Sequence, residues 1–115
     1  MRWRFAFVIA GIITATFAMA DESPDGNVAR GRDTYRAVGC WQCHGTTGAG
    51  GGWQGPKLAP TPIPFAAFML QLRTPRGSMP RYAEKLLSDR EVADVYAYLR
   101  SVRPGRSAAQ IEILK

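Results

Sequence analysis

The chain predicts a small all-α domain of three to four helices, and three observations carry that expectation. Three segments repeat their apolar residues at helical spacing, the middle of the chain is a Gly/Pro-rich stretch, and that stretch shows no alternating strand pattern. Two residue types are scarce, with 2 Cys and 1 His in 115 residues. All three of those residues fall within one pentapeptide, Cys40-Trp41-Gln42-Cys43-His44.

The first twenty residues read as a segment apart from the fold. Arg2 and Arg4 form a positive start, Phe5 to Phe17 is mostly apolar, and Ala18-Met19-Ala20 matches a small-x-small cleavage pattern. Residues 1–20 are therefore expected to be a cleaved signal peptide, with the mature chain starting near Asp21. The competing role is a retained membrane anchor. Only 16 residues separate Arg4 from Asp21, short of the about 20 a comfortable span requires. Net charge falls from +6 to +4 once Arg2 and Arg4 are removed. That modest basic surplus suits steering toward acidic partner surfaces. Nucleic acid is not indicated, because no basic run or basic–aromatic stripe occurs.

Residues 21–26 form a polar leader. A first helix is expected from Asn27 to Val38: Val28, Gly31, Tyr35 and Val38 share one face, Asn27 suits the N-cap and Gly39 the stop. The pentapeptide follows at once. Gly45 to Pro64 includes Gly50-Gly51-Gly52 and reads as an irregular segment. A loop that long within a compact domain is unusual unless it wraps something. A short helix is expected over Pro64 to Arg73, with proline in its first turn and Phe65, Phe68, Met69 and Leu72 on one face; Pro75 ends it. Ser88-Asp89-Arg90-Glu91 is a capping box. Val92, Val95, Tyr96, Leu99 and Val102 then continue at helical spacing until Pro104 and Gly105. Residues 27–103 thus form the domain, and residues 104–115 a tail without an assigned role.

The spacing of Cys40, Cys43 and His44 is that of covalent c-type haem attachment. Each thiol adds across a haem vinyl group, and His44 becomes an axial iron ligand. Three other uses compete. A Cys40–Cys43 disulfide closes too short a loop to remove much unfolded-state entropy. A thioredoxin-like redox pair needs a βαβ setting that the pattern lacks. Zinc needs about four ligands, and two thiols with one histidine fall short.

A haem held by His44 alone would be open on its other side. Met1 and Met19 leave with the signal, so Met69 and Met79 are the remaining methionines. Met69 falls in the periodic core face of its helix. Met79 lies in the turn-forming Arg76-Gly77-Ser78-Met79-Pro80, where proline suits fixed presentation of a soft sulfur to iron. Its competing role is as a gap-filler beneath the loop.

Helix, C-x-x-C-H, Gly/Pro loop, Met-Pro and C-terminal helix together resemble the class I mono-haem bacterial cytochrome c family, over roughly Asn27 to Val102. The resemblance implies a small cytochrome c fold whose first and last helices cross at nearly right angles. Gly31 and Tyr35 match the family's glycine and aromatic on helix one, and Tyr98-Leu99 matches its aromatic–leucine pair. Gly55-Pro56-Lys57-Leu58 resembles the family's Gly-Pro-x-Leu, which implies that the Pro56 carbonyl accepts the His44 Nδ1 hydrogen and that Leu58 packs on the ring. Met79-Pro80 matches the axial methionine motif. Trp53 and Tyr82 join Pro56 and Leu58 as expected haem-pocket residues, Trp53 as a propionate donor or an apolar lid.

The implied function is periplasmic one-electron transfer by one covalent haem c with His44/Met79 ligation. The chain would act as a soluble carrier or as the cytochrome subunit of an exported dehydrogenase or oxidase chain, without catalytic residues of its own. Export agrees with this, because the family's haem is attached on the far side of the bacterial membrane. A dehydrogenase would be the donor and an oxidase or another cytochrome the acceptor; after cleavage no membrane span remains. The alternatives are a haem enzyme or gas-binding sensor with an open sixth position, and a haem-free dithiol protein.

Overall fold

The computed structural model describes residues 23–50, 54–60 and 63–114. The expected signal segment 1–20, the first two residues of the expected leader and Trp53 lie outside the described residues. Four α-helices follow in order: α1 (Val28–Ala37), α2 (Trp41–His44), α3 (Phe65–Arg73) and α4 (Asp89–Ser101). Two short 3-10 turns, Ala108–Gln110 and Glu112–Leu114, lie in the tail. No strand occurs among the described residues, so the all-α expectation holds. No helix among them is long and apolar enough to cross a membrane.

Caps define the two long helices. Asn27 accepts a hydrogen bond from the Arg30 backbone N–H at 2.9 Å and starts α1. Ser88 and Glu91 form the expected capping box of α4: Ser88 Oγ accepts from the Glu91 N–H, and a Glu91 carboxylate oxygen accepts from the Ser88 N–H at 2.8 Å. Pro64 is the N-cap residue of α3 rather than a member of its first turn. The expected position differs by one residue, because Pro64 takes an extended ψ of 151° before the helix begins.

The core forms where α4 is covered by α1 on one side and α3 on the other. Tyr35 of α1 and Val92 and Leu99 of α4 are fully buried, as the periodicity of each helix requires. The expected α1 face is narrower than its periodicity suggested. Gly31 and Tyr35 are buried, whereas Val28 is 45% exposed. Contact with α4 centres on Gly31, where an added Cβ would stand 1.9 Å from the Asp94 carbonyl oxygen. Only a residue without a side chain allows the two backbones to come that close. Beside the crossing, Asp94 accepts from the Asn27 backbone N–H at 2.6 Å and from Arg30 Nε at 2.8 Å, which locks the start of α1 onto the middle of α4. On the other side, Tyr96 packs against Phe65 and Phe68, with ring centroids 5.2 Å apart in each pair.

Candidate haem site

Helix α2 is a single turn. The Cys40 carbonyl accepts from the His44 backbone N–H at 3.1 Å, so the pentapeptide winds into one turn with Cys43 and His44 three and four positions after Cys40. Upstream, Tyr35 on α1 donates its hydroxyl to the Gly45 carbonyl at 2.7 Å, tying the far end of that turn to the core. Cys40 is partly buried and Cys43 exposed, and both carry free thiols. Burial pushes the Cys40 thiol up to about 11, with its own backbone and the Tyr82 hydroxyl opposing that shift.

Both cysteines and His44 line a cleft of about 1200 Å³. Met79 lines the same cleft, as do Pro56, Leu58 and Tyr82. The expected pocket residues that fall within the described chain are therefore gathered around one cavity, despite separations of up to 42 positions. Met69 packs on the hydrophobic core, partly buried, and is absent from the cleft lining.

His44 is buried at 7% exposure, and its Nδ1 lies 2.8 Å from the Pro56 carbonyl oxygen. A carbonyl only accepts, so Nδ1 carries the hydrogen and Nε2 keeps its lone pair. That tautomer is the one a metal ligand needs, and a hydrogen bond from the far nitrogen strengthens it as a donor. The loop is shaped for this contact. A Cβ on Gly55 would lie 3.0 Å from His44 Nδ1 and 2.7 Å from the Cys43 carbonyl oxygen. Leu58 and Ala59 both donate their N–H to the Gly48 carbonyl at 2.7 Å, so the long Gly/Pro segment folds back on itself rather than trailing as a linker.

The opposite wall is pinned through Tyr82. Its N–H donates to the Leu72 carbonyl at 3.0 Å, and its carbonyl accepts from Arg73 Nη1 at 2.8 Å. Its hydroxyl donates to the Val38 carbonyl at 3.1 Å. Arg73 in turn pairs with Asp89 at 2.5 Å. The segment carrying Met79 is thus fastened three residues downstream to α3, to the start of α4 and to the approach to Cys40.

The residues fit a covalent haem. Two free thiols, a correctly protonated imidazole and a thioether border one cleft, whose walls include Phe68, Leu72, Leu87, Val95 and Leu99. Leu70 and Leu86 also line it while remaining 61% and 63% exposed. Large apolar side chains facing an open cleft gain from an apolar plate seated against them. Zinc does not fit as well: among the described residues no three His, Cys, Asp or Glu side chains gather to hold a bare metal ion. The charged residues lining the cleft are Lys57, Arg76 and Arg81, with no acid among them. Sequence reasoning missed Gln71, whose amide reaches the Met79 sulfur at 3.6 Å. A half-buried glutamine in a helix carries no motif that would have singled it out.

Comparison with known proteins agrees with this geometry. Residues 26–99 match the family model described as cytochrome C oxidase, cbb3-type, subunit III. A cytochrome bc1 complex cytochrome c subunit of Corynebacterium diphtheriae is 35% identical over 80 residues, covering 67% of this chain and 28% of that protein. The corresponding subunit of Mycobacterium leprae is 33% identical over 92 residues, covering 70% of this chain and 32% of its own length. The chain therefore spans less than a third of the curated relatives it matches. With its haem c attachment motif at Cys40-Trp41-Gln42-Cys43-His44, the chain belongs to the cbb3-type cytochrome c oxidase subunit III family of c-type cytochromes.

Proposed function

We propose that this chain is an exported one-electron carrier in which Cys40 and Cys43 would hold a haem covalently and His44 and Met79 would supply its iron ligands. It would act as the cytochrome subunit of a respiratory complex. The observation that carries the reading is the single cleft onto which the two thiols, Met79 and a His44 fixed by Pro56 all open. The bound haem supplies an Fe(II)/Fe(III) couple.

Each residue has a distinct task. Cys40 and Cys43 would hold the macrocycle covalently. His44 donates its Nε2 lone pair, and Pro56 prevents ring rotation while raising donor strength. Met79 offers a neutral sulfur, which favours the reduced state, and the apolar walls do the same by disfavouring net charge. With both His44 and Met79 as ligands, small molecules would be kept from the metal and electron transfer would be the task of the site. Leu58, Tyr82 and Trp53 are assigned to the pocket walls.

Lys57, Arg76 and Arg81 border the cleft, and no acid lines it among the described residues. That pattern favours brief docking against an acidic redox surface, with attraction acting mainly on the encounter rate. The donor would be a dehydrogenase or quinol-oxidising complex, and the acceptor an oxidase or another cytochrome. The names of the matched family and relatives, an oxidase subunit and cytochrome bc1 subunits, support that setting. Arg2, Arg4 and the Ala18-Met19-Ala20 site support export with cleavage of residues 1–20.

The test is carbon monoxide binding to the reduced holoprotein. Native protein and Met69→Ala should exclude the gas, and Met79→Ala should bind it. Ready binding by the native protein would replace the carrier with a gas-binding or catalytic haem site.

A further inference from the structure

Gln71 stands on the cleft-facing side of α3, half-buried, and its side-chain amide reaches across to the segment that carries Met79. Its Nε2 lies 3.5 Å from the Arg76 carbonyl oxygen and 3.6 Å from Met79 Sδ. An amide nitrogen carries two hydrogens, so one nitrogen serves both acceptors. The carbonyl contact holds the turn at Arg76-Gly77, and the sulfur contact occupies one of the two thioether lone pairs. The opposite end of the segment is already fixed through Tyr82.

We propose that Gln71 is the positioning residue of the sixth ligand. By engaging one lone pair of Met79 Sδ it orients the other toward the metal, and by drawing density from the sulfur it tunes how strongly Met79 donates. This inference rests on the reading of Met79 as an iron ligand. A sulfur that donates less stabilises Fe(III) less, so the contact favours the reduced state. Because it spans α3 and the loop, the contact also opposes departure of the sulfur when an outside ligand competes for iron.

The experiment compares native holoprotein with Gln71→Met, Gln71→Glu and Met79→Ala. Gln71→Met keeps length and volume but removes both donor hydrogens; Gln71→Glu keeps shape and places an acceptor against the sulfur. Four readouts apply: the far-red charge-transfer band that a thioether sulfur gives ferric haem, the midpoint potential, imidazole affinity of the ferric protein, and the denaturation midpoint. Gln71→Met should shift the far-red band, lower the potential, and tighten imidazole binding roughly five- to tenfold, the size of one net hydrogen bond. Gln71→Glu should move the potential further in the same direction.

Potential, band and imidazole affinity at native values in both Gln71 variants would overturn the proposal. So would a change in imidazole affinity that only follows a lower denaturation midpoint with the potential unmoved, since that reports a structural tether. Absence of the far-red band from native protein, with imidazole affinity equal to that of Met79→Ala, would overturn the Met79 reading as well.

Discussion

Gly31→Ala should separate the two helices that frame the site. The added Cβ would lie 1.9 Å from the Asp94 carbonyl oxygen, 2.4 Å from its carbon and 2.9 Å from the Val95 nitrogen, all backbone atoms with no rotamer to escape into. Ordinary contact begins near 3.5 Å, so α1 must withdraw by about 1.5 Å. The same withdrawal stretches the 2.6 Å bond from the Asn27 N–H to Asp94 beyond hydrogen-bonding range. Overpacking of this kind costs about 1–3 kcal/mol, and the lost hydrogen bond about 1 kcal/mol more. Alanine returns up to about 1 kcal/mol of helix propensity. The net loss is about 2 kcal/mol, near thirtyfold in the unfolding equilibrium. Guanidinium unfolding of ferric holoprotein, followed by far-ultraviolet circular dichroism, should show a lower midpoint at unchanged slope. Ala29→Gly, at an exposed position of the same helix, should cost only the propensity term. A Gly31→Ala protein as stable as native, or more stable, would refute the close-approach argument.

Two further predictions concern Asp94 and the thiols. Asp94 is 2% exposed, and its carboxylate is held below the ordinary range chiefly by its hydrogen bond from Arg30, helped by the Asn27 N–H against the cost of burial. A group whose folded pKa is depressed stabilises fully above its unfolded value, about 3.9, and that stability disappears as pH falls through the folded value. Acid unfolding of native protein should therefore begin at lower pH than that of Arg30→Gln; coincident acid transitions would count against the pairing. In protein expressed without haem maturation, iodoacetamide should alkylate exposed Cys43 before Cys40, whose thiol is half-covered and shifted up to about 11. Peptide mass spectrometry reads the order, and equal rates or Cys40 first would contradict the burial difference.

Much of this arrangement is legible in the sequence because it rests on local chemistry. Asn27 and the Ser88/Glu91 box announce the starts of α1 and α4, and four of the five periodic α4 residues are buried, with Val102 falling at the C-cap and only partly buried. Haem attachment is legible because its chemistry demands a fixed spacing. What escaped is tertiary. The exposure of Val28 follows from how narrowly α1 rests on α4 around Gly31, which periodicity alone does not encode. The single turn of α2 is too short for periodicity to mark, and arises from the Cys40 carbonyl capturing the His44 N–H. The Pro56 contact was implied by family resemblance, since the eleven intervening residues of Gly/Pro loop carry no pattern that would bring the two together. Gln71 escaped altogether, its partner being chosen by the return of the chain after Pro75.

X-ray absorption at the iron edge of oxidised holoprotein bears most directly on the His44/Met79 account. It should show one sulfur scatterer at bonding distance among nitrogen ligands, retained in Met69→Ala and lost in Met79→Ala. An all-nitrogen shell, a five-coordinate iron, or a sulfur that survives Met79→Ala would contradict it.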